Sequence, residues 1–206
     1  MKKLKFKIKN YNLKLKTKPE IRYLYDMKDV LYDKKWLKTA PNLKLYHVYR
    51  GIKRKDDLRY DITIIPAGML GKEFVKTKGN RNWKGYQELY TVLNGEALFL
   101  IQKTKGKTVK DVFVIKAKKG EWIIIPPNYL LVIINPSGKT LETGNWVLEK
   151  NKNIYEDIEK MKGACYFYTK SGWIKNKNYK IVPKLRFKKP LEKMPKNLEF
   201  LKKSLK

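Results

Sequence analysis

The residues best suited to chemistry lie in two short segments. In the first, Gly79 precedes Asn80, Arg81 and Asn82; five residues then intervene before Glu88, and six more before Gly95. In the second, five residues separate Gly120 from Pro126, four separate Pro126 from Leu131, and three separate Leu131 from Asn135. Both segments read as strands, where side chains two apart share a face. Asn80 and Asn82 therefore look to one side and Arg81 to the other. Glu88 is the one acidic group between Gly79 and Gly95. Buried, it would be a general base with a pKa drawn toward neutrality; paired with Arg81 or a lysine, it would be a structural carboxylate. The two asparagines can donate hydrogen bonds to a developing oxyanion, but a carboxamide oxygen is a weak transition-metal ligand beside an imidazole.

His47 is the sole histidine and Cys165 the sole cysteine, which excludes a histidine-built metal cluster, a thiolate cluster and an internal disulfide. His47 shares a strand face with Tyr49, so the two are expected to look toward the same pocket; a lone strand histidine is more often a packed or rim residue. Cys165 has no companion motif and reads as an inert thiol, of the kind a reducing cytoplasm tolerates.

The elements that must position these groups are mostly strands. Short runs rich in Ile, Val, Tyr and Phe are expected over 43–49, 59–65, 72–77, 88–93, 97–102, 111–115, 121–125, 130–134 and 144–148. Turn signals such as Asn94-Gly95, Lys119-Gly120 and Pro126-Pro127-Asn128 separate them. Leu4, Phe6 and Ile8 alternate with lysines, as do Leu13 and Leu15, indicating one or two further strands. Helical spacing is expected over 26–38, 154–161 and 191–205, and a last strand pair, 165–168 with 179–182, around Ser171-Gly172. The rhythm points to one mainly β domain, a sandwich or closed barrel with short flanking helices. We divide the chain into a basic extension (1–19), the barrel domain (20–190) and a basic terminal helix or tail (191–206).

The spacing around Asn80, Asn82, Glu88 and Leu131 resembles the two motifs of the cupin barrel, a double-stranded β-helix or jelly roll. There, His-x-His and Glu come from the first motif and a further His from the second. Ile21 to Met27, the strand Tyr46–Tyr49 and above all Gly71-Lys72-Glu73-Phe74-Val75-Lys76-Thr77-Lys78-Gly79 resemble the archaeal, cupin-type glucose-6-phosphate isomerases over about residues 20 to 190. That resemblance implies a homodimeric barrel interconverting glucose 6-phosphate and fructose 6-phosphate with a metal held by three His and one Glu. Here those ligand positions are Asn80, Asn82, Glu88 and Leu131, so no metal or other cofactor is expected. The positions used around the substrate match Tyr49, Thr63, Thr77, Gly79, Tyr90 and Tyr155. The ligand implied is a sugar phosphate or similar anion, bound without the metal-dependent reaction; the alternative is a metal-free isomerase with Glu88 as base.

Forty-nine Lys and Arg against 19 Asp and Glu give a formal net charge of +30. Such a charge attracts phosphates, which keeps a nucleic-acid or acidic-protein partner as a further alternative. The lysines are spread along the whole chain and outnumber arginines, which suits a solvated surface better than base readout. The basic start lacks the uninterrupted apolar stretch of a secretory signal. The run 129–134 is far shorter than the ~18 residues of a membrane span, so a cytoplasmic protein with no membrane partner is expected.

Overall fold

The computed structural model describes residues 18–204; the strands expected between Leu4 and Leu15 lie outside the described residues. Two six-stranded sheets carry the molecule. The first contains β1 (Glu20–Tyr23), β2 (Lys44–Lys55) and β3 (Leu58–Ile65). The chain then passes through short β4 (Met69–Leu70) and β5 (Glu73–Phe74) into β6 (Asn80–Asn82), β7 (Glu88–Asn94), β8 (Glu96–Lys105) and β9 (Thr108–Lys118). It continues through β10 (Trp122–Ile125), β11 (Leu130–Ile134), β12 (Leu141–Leu148) and β13 (Asn153–Ile154), then the small strands β14 (Tyr166–Thr169), β15 (Gly172–Lys175) and β16 (Arg186–Lys188). The first sheet runs β1-β2-β3-β12-β7-β10 and the second β13-β6-β11-β8-β9-β16, with β15-β14-β5-β4 as a minor third. This is the expected mainly β, jelly-roll arrangement, as two facing sheets rather than one closed hydrogen-bonded ring.

Burial follows position in the sheet. β11, Leu-Leu-Val-Ile-Ile, is buried at every residue because it sits between β6 and β8 with both faces covered. β10, at the sheet margin, alternates half-buried and buried residues. Phe99, Leu100 and Ile101 of β8 are fully buried in the main core, a burial that stabilises by about 1.5–3 kcal/mol for each large apolar side chain.

Several local expectations are corrected. The single helix expected over 26–38 is a 3-10 turn, Tyr25–Val30, and a separate α1, Lys34–Thr39. Asp33 divides them: its carboxylate accepts from the Trp36 N–H at 3.0 Å, and a short acidic side chain is favoured at such an N-cap over a helix interior. Of the strand expected over 72–77, only Glu73–Phe74 is regular, with a bridge from Lys76 to Ile134 beyond it. The last hairpin pairs β14 with β15 directly after Ser171, not with 179–182; Gly172, at φ +103°, allows the tight reversal. Tyr179 instead anchors the following loop, sharing hydrogen bonds with Gln102 and the Gly163 carbonyl. Within the segment expected as a terminal helix or tail, described residues 191–204 form no α-helix: Leu191 is bridged to Trp122, and one 3-10 turn spans Glu199–Lys202.

Candidate functional site

A narrow cleft opens between the two sheets, enclosing about 580 Å³ when its open mouth is counted. The first sheet contributes Arg22, Tyr46, Val48, Arg50, Thr63, Glu88, Tyr90 and Asn145. The second contributes Asn80, Leu131, Ile133 and Asn153, and the connecting segments add Thr77, Gly79 and Tyr155. The structure thus brings together Thr63, Thr77, Gly79, Asn80, Glu88, Tyr90, Leu131 and Tyr155 of the residues singled out in the sequence.

Tyr49 and Asn82 do not line it. Alternation along β2 sends Tyr46, Val48 and Arg50 into the cleft and Tyr49, with His47, to the opposite face. His47 instead borders a separate groove with Leu45 and Pro66, where burial and then the Lys44 charge lower its pKa. The inward view expected for both residues is corrected accordingly. Asn82 is buried and its amide is engaged, donating to the Tyr86 carbonyl at 2.9 Å and accepting from Asn151 at 2.9 Å. Arg81 points away, as alternation requires, and pairs with Asp157 at 3.1 Å.

One end of the cleft is built from hydroxyls and a cation. Tyr46 Oη accepts from the Lys78 N–H at 3.2 Å, Thr77 Oγ1 from the Ile133 N–H at 3.0 Å, and Tyr155 Oη from Asn153 Nδ2 at 3.2 Å. Each oxygen is fixed as an acceptor, and each O–H proton remains available to a ligand. The Arg22 guanidinium lies 5.8 Å from the Tyr155 ring centroid. Burial works against its charge, but Tyr46, Tyr155 and Asp26 together outweigh it and raise its pKa. Gly79 has φ +88°, and a Cβ there would stand 2.5 Å from Ile158 and 2.7 Å from Val132. The glycine is thus required by packing behind the cleft wall as well as by backbone geometry.

The other end is acidic. Glu88 is 5% exposed, and burial pushes its carboxyl up to about 7, with Asp61 adding to the rise and Tyr90, Arg50 and Arg59 opposing it. Asp61 of β3, Asn145 of β12 and Tyr90 of β7 stand in one cross-strand row, and Glu88 lies two residues along β7 on the same face. Arg50 Nη1 donates to Asp61 at 2.9 Å and Nε to Glu20 at 3.1 Å.

The donor set does not fit the metal implied by the resemblance. Asn82 is tied to the protein, Leu131 is aliphatic, and Asn80 and Glu88 alone remain as oxygen donors at those positions. No group of three His, Cys, Asp or Glu gathers anywhere among the described residues. Two oxygen donors without imidazole are a poor site for a transition metal.

Arg22, Arg50, Asn145 and Asn153 were not singled out in the sequence as site residues. The available signal was the strand phase of β2: Tyr46, Val48 and Arg50 form a period-2 set, as do His47 and Tyr49, and only the tertiary structure selects between them.

A polar cleft between two facing sheets of a jelly roll is the architecture of a cupin. The family model for glucose-6-phosphate isomerase matches residues 14–184, and the chain belongs to that family. Among its relatives, the glucose-6-phosphate isomerase of Pyrococcus abyssi is 31% identical over 125 residues, 58% of this chain and 64% of that one. That of Thermococcus litoralis is 29% identical over 129 residues, 60% of this chain and 66% of that one. The chain covers just under two thirds of these relatives. Among solved structures, the cupin domain of Schizosaccharomyces pombe Cnp3 overlays with a TM-score of 0.38 at 12% identity, covering 66% of this chain and 82% of that one.

Proposed function

We propose that this chain binds a sugar phosphate in the cleft and does so without the metal-dependent reaction associated with its family. The observation that carries this reading is the set of three hydroxyls, Tyr46, Thr77 and Tyr155, each fixed by an accepted hydrogen bond and facing the cleft beside Arg22. Hydroxyl donors beside a guanidinium are the groups a phosphate dianion requires. The names of the relatives supply the sugar. We further propose that the protein is a homodimer, as the family resemblance implies; sedimentation should return twice the chain mass.

Substitution tests the phosphate end. A hydrogen bond to a charged group contributes about 1.5–3 kcal/mol, so Thr77→Val and Arg22→Gln are each expected to weaken fructose 6-phosphate binding about 10- to 100-fold. Unchanged affinity in both variants would remove the assignment.

Glu88 supports a second reading. A buried carboxyl brought to about 7, across a cleft from Asn80 and beside Asn145, is suited to move a proton between adjacent carbons of a sugar. Metal-stripped protein held in chelator would then interconvert fructose 6-phosphate and glucose 6-phosphate, and Glu88→Gln would abolish the turnover. Wild-type protein that binds fructose 6-phosphate without turning it over would leave binding as its function.

A further inference from the structure

Arg50 is the only cation lining the acidic end of the cleft among the described residues, and its guanidinium is held on two sides. Nη1 donates to Asp61 at 2.9 Å and Nε to Glu20 at 3.1 Å, whereas Nη2 has no hydrogen-bond partner among the described residues. Asp61 is 1% exposed and also receives the Gly51 N–H at 2.8 Å and Arg59 Nε at 3.1 Å, so its carboxylate is immobilised by three donors. The ladder between β2 and β3 shifts register between Tyr49 and Lys53, and Gly51 takes φ +61°. Such bulges re-aim side chains beside functional sites. The result is a guanidinium on the cleft lining, tied through Nη1 and Nε, with Nη2 left uncommitted among the described residues.

We infer that Arg50 is the electrophile of this site, offering Nη2 to the sugar's carbonyl oxygen where its relatives are expected to use a metal, and that Asp61 is its positioning residue. The inference rests on the proton-transfer reading given above. Arg22 pairs in register with Tyr46, and Arg50 lies four residues further along β2, about 13 Å of strand at ~3.3 Å per residue. The two side chains thus mark opposite ends of a ligand, with phosphate on Arg22 and the reacting carbons beside Glu88 and Arg50.

The step balances within the sugar. Glu88 takes a proton from C1 of the ketose, the C–H electron pair becomes the C1–C2 double bond, and the C2 carbonyl oxygen takes up the negative charge facing Arg50. The proton on O1 passes to O2, the Glu88 carboxyl returns its proton to C2, and the carbonyl re-forms at C1. One proton moves from carbon to carbon and one from oxygen to oxygen, with no oxidant or reductant.

The test compares wild type with Arg50→Gln, Arg50→Lys, Asp61→Asn and Arg22→Gln in chelator with fructose 6-phosphate, after melting curves establish folding. Loss of one oxyanion donor lowers kcat by about 10²- to 10³-fold. Arg50→Gln should show that loss with KM changed by only a few-fold, and inorganic phosphate should bind as before. Arg50→Lys should recover part of the rate, since it keeps the charge without the fork, and it provides the readout should Arg50→Gln not fold. Asp61→Asn should lower kcat less than Arg50→Gln, whereas Arg22→Gln should raise KM. Wild-type turnover in a folded Arg50→Gln protein overturns the role of Arg50 and leaves proton transfer standing. Wild-type protein that neither turns over fructose 6-phosphate nor exchanges its C1 hydrogen with heavy water overturns proton transfer and this role together.

Discussion

Glu88 is held where burial opposes its ionisation. Its carboxyl has an ordinary pKa of 4.5 in the open chain and about 7 in the fold, so between those values the folded state binds a proton that the unfolded state has released. The Glu88 contribution to stability is therefore greatest below about pH 4.5, falls as pH rises, and levels off above about pH 7, by up to about 3 kcal/mol in total. Glu88→Gln should remove that contribution from the pH dependence, and urea unfolding should find it more stable than wild type at pH 8 by up to about 3 kcal/mol. Equal slopes for the two proteins between pH 5 and 8 would contradict the buried-acid description. Glu88 was legible in the sequence because no other acid lies between Gly79 and Gly95. Arg22 and Arg50 were not, since 49 cationic side chains hide the two that line the cleft.

At the scale of elements, the wall near the cleft is tied to the rest of the fold by a buried ion pair. Lys76, 4% exposed, lies 2.7 Å from Glu73, which is fully buried, and also donates to the Val30 carbonyl at 2.9 Å. Glu73 in turn accepts from the Tyr32 N–H at 2.7 Å, so the pair joins the β5 region to the segment before α1. Removing one partner leaves a buried charge without compensation. Lys76→Met should cost about 3–5 kcal/mol, and Glu73→Gln combined with Lys76→Met should recover much of it in a denaturant titration. Additive losses in the double variant would show that the two do not act as a pair. The sequence showed the strands themselves because apolar periodicity is a local property. It did not show the phase of β2, because both alternating sets, Tyr46-Val48-Arg50 and His47-Tyr49, mix polar and apolar groups. It also misplaced the partner of β14, a long-range choice that local pattern does not encode.

For the whole molecule, the jelly roll was readable from motif spacing and family membership from local strings such as Gly71 to Gly79, because glycine and turn positions are set by the barrel backbone. No helix among the described residues is long and apolar enough to cross a membrane. The net charge of +30 should give weak, steeply salt-dependent retention on nucleic acid that vanishes at moderate salt; tight retention there would favour the nucleic-acid alternative. The central claim is that the cleft recognises a sugar phosphate through Arg22 and three hydroxyls rather than through a metal. Calorimetric titration of fructose 6-phosphate into chelator-treated protein, with elemental analysis of the same sample, addresses it most directly. We expect saturable binding to metal-free protein that disappears in an Arg22→Gln, Thr77→Val double variant. Binding that appears only when a transition-metal ion is restored at one per chain would contradict it.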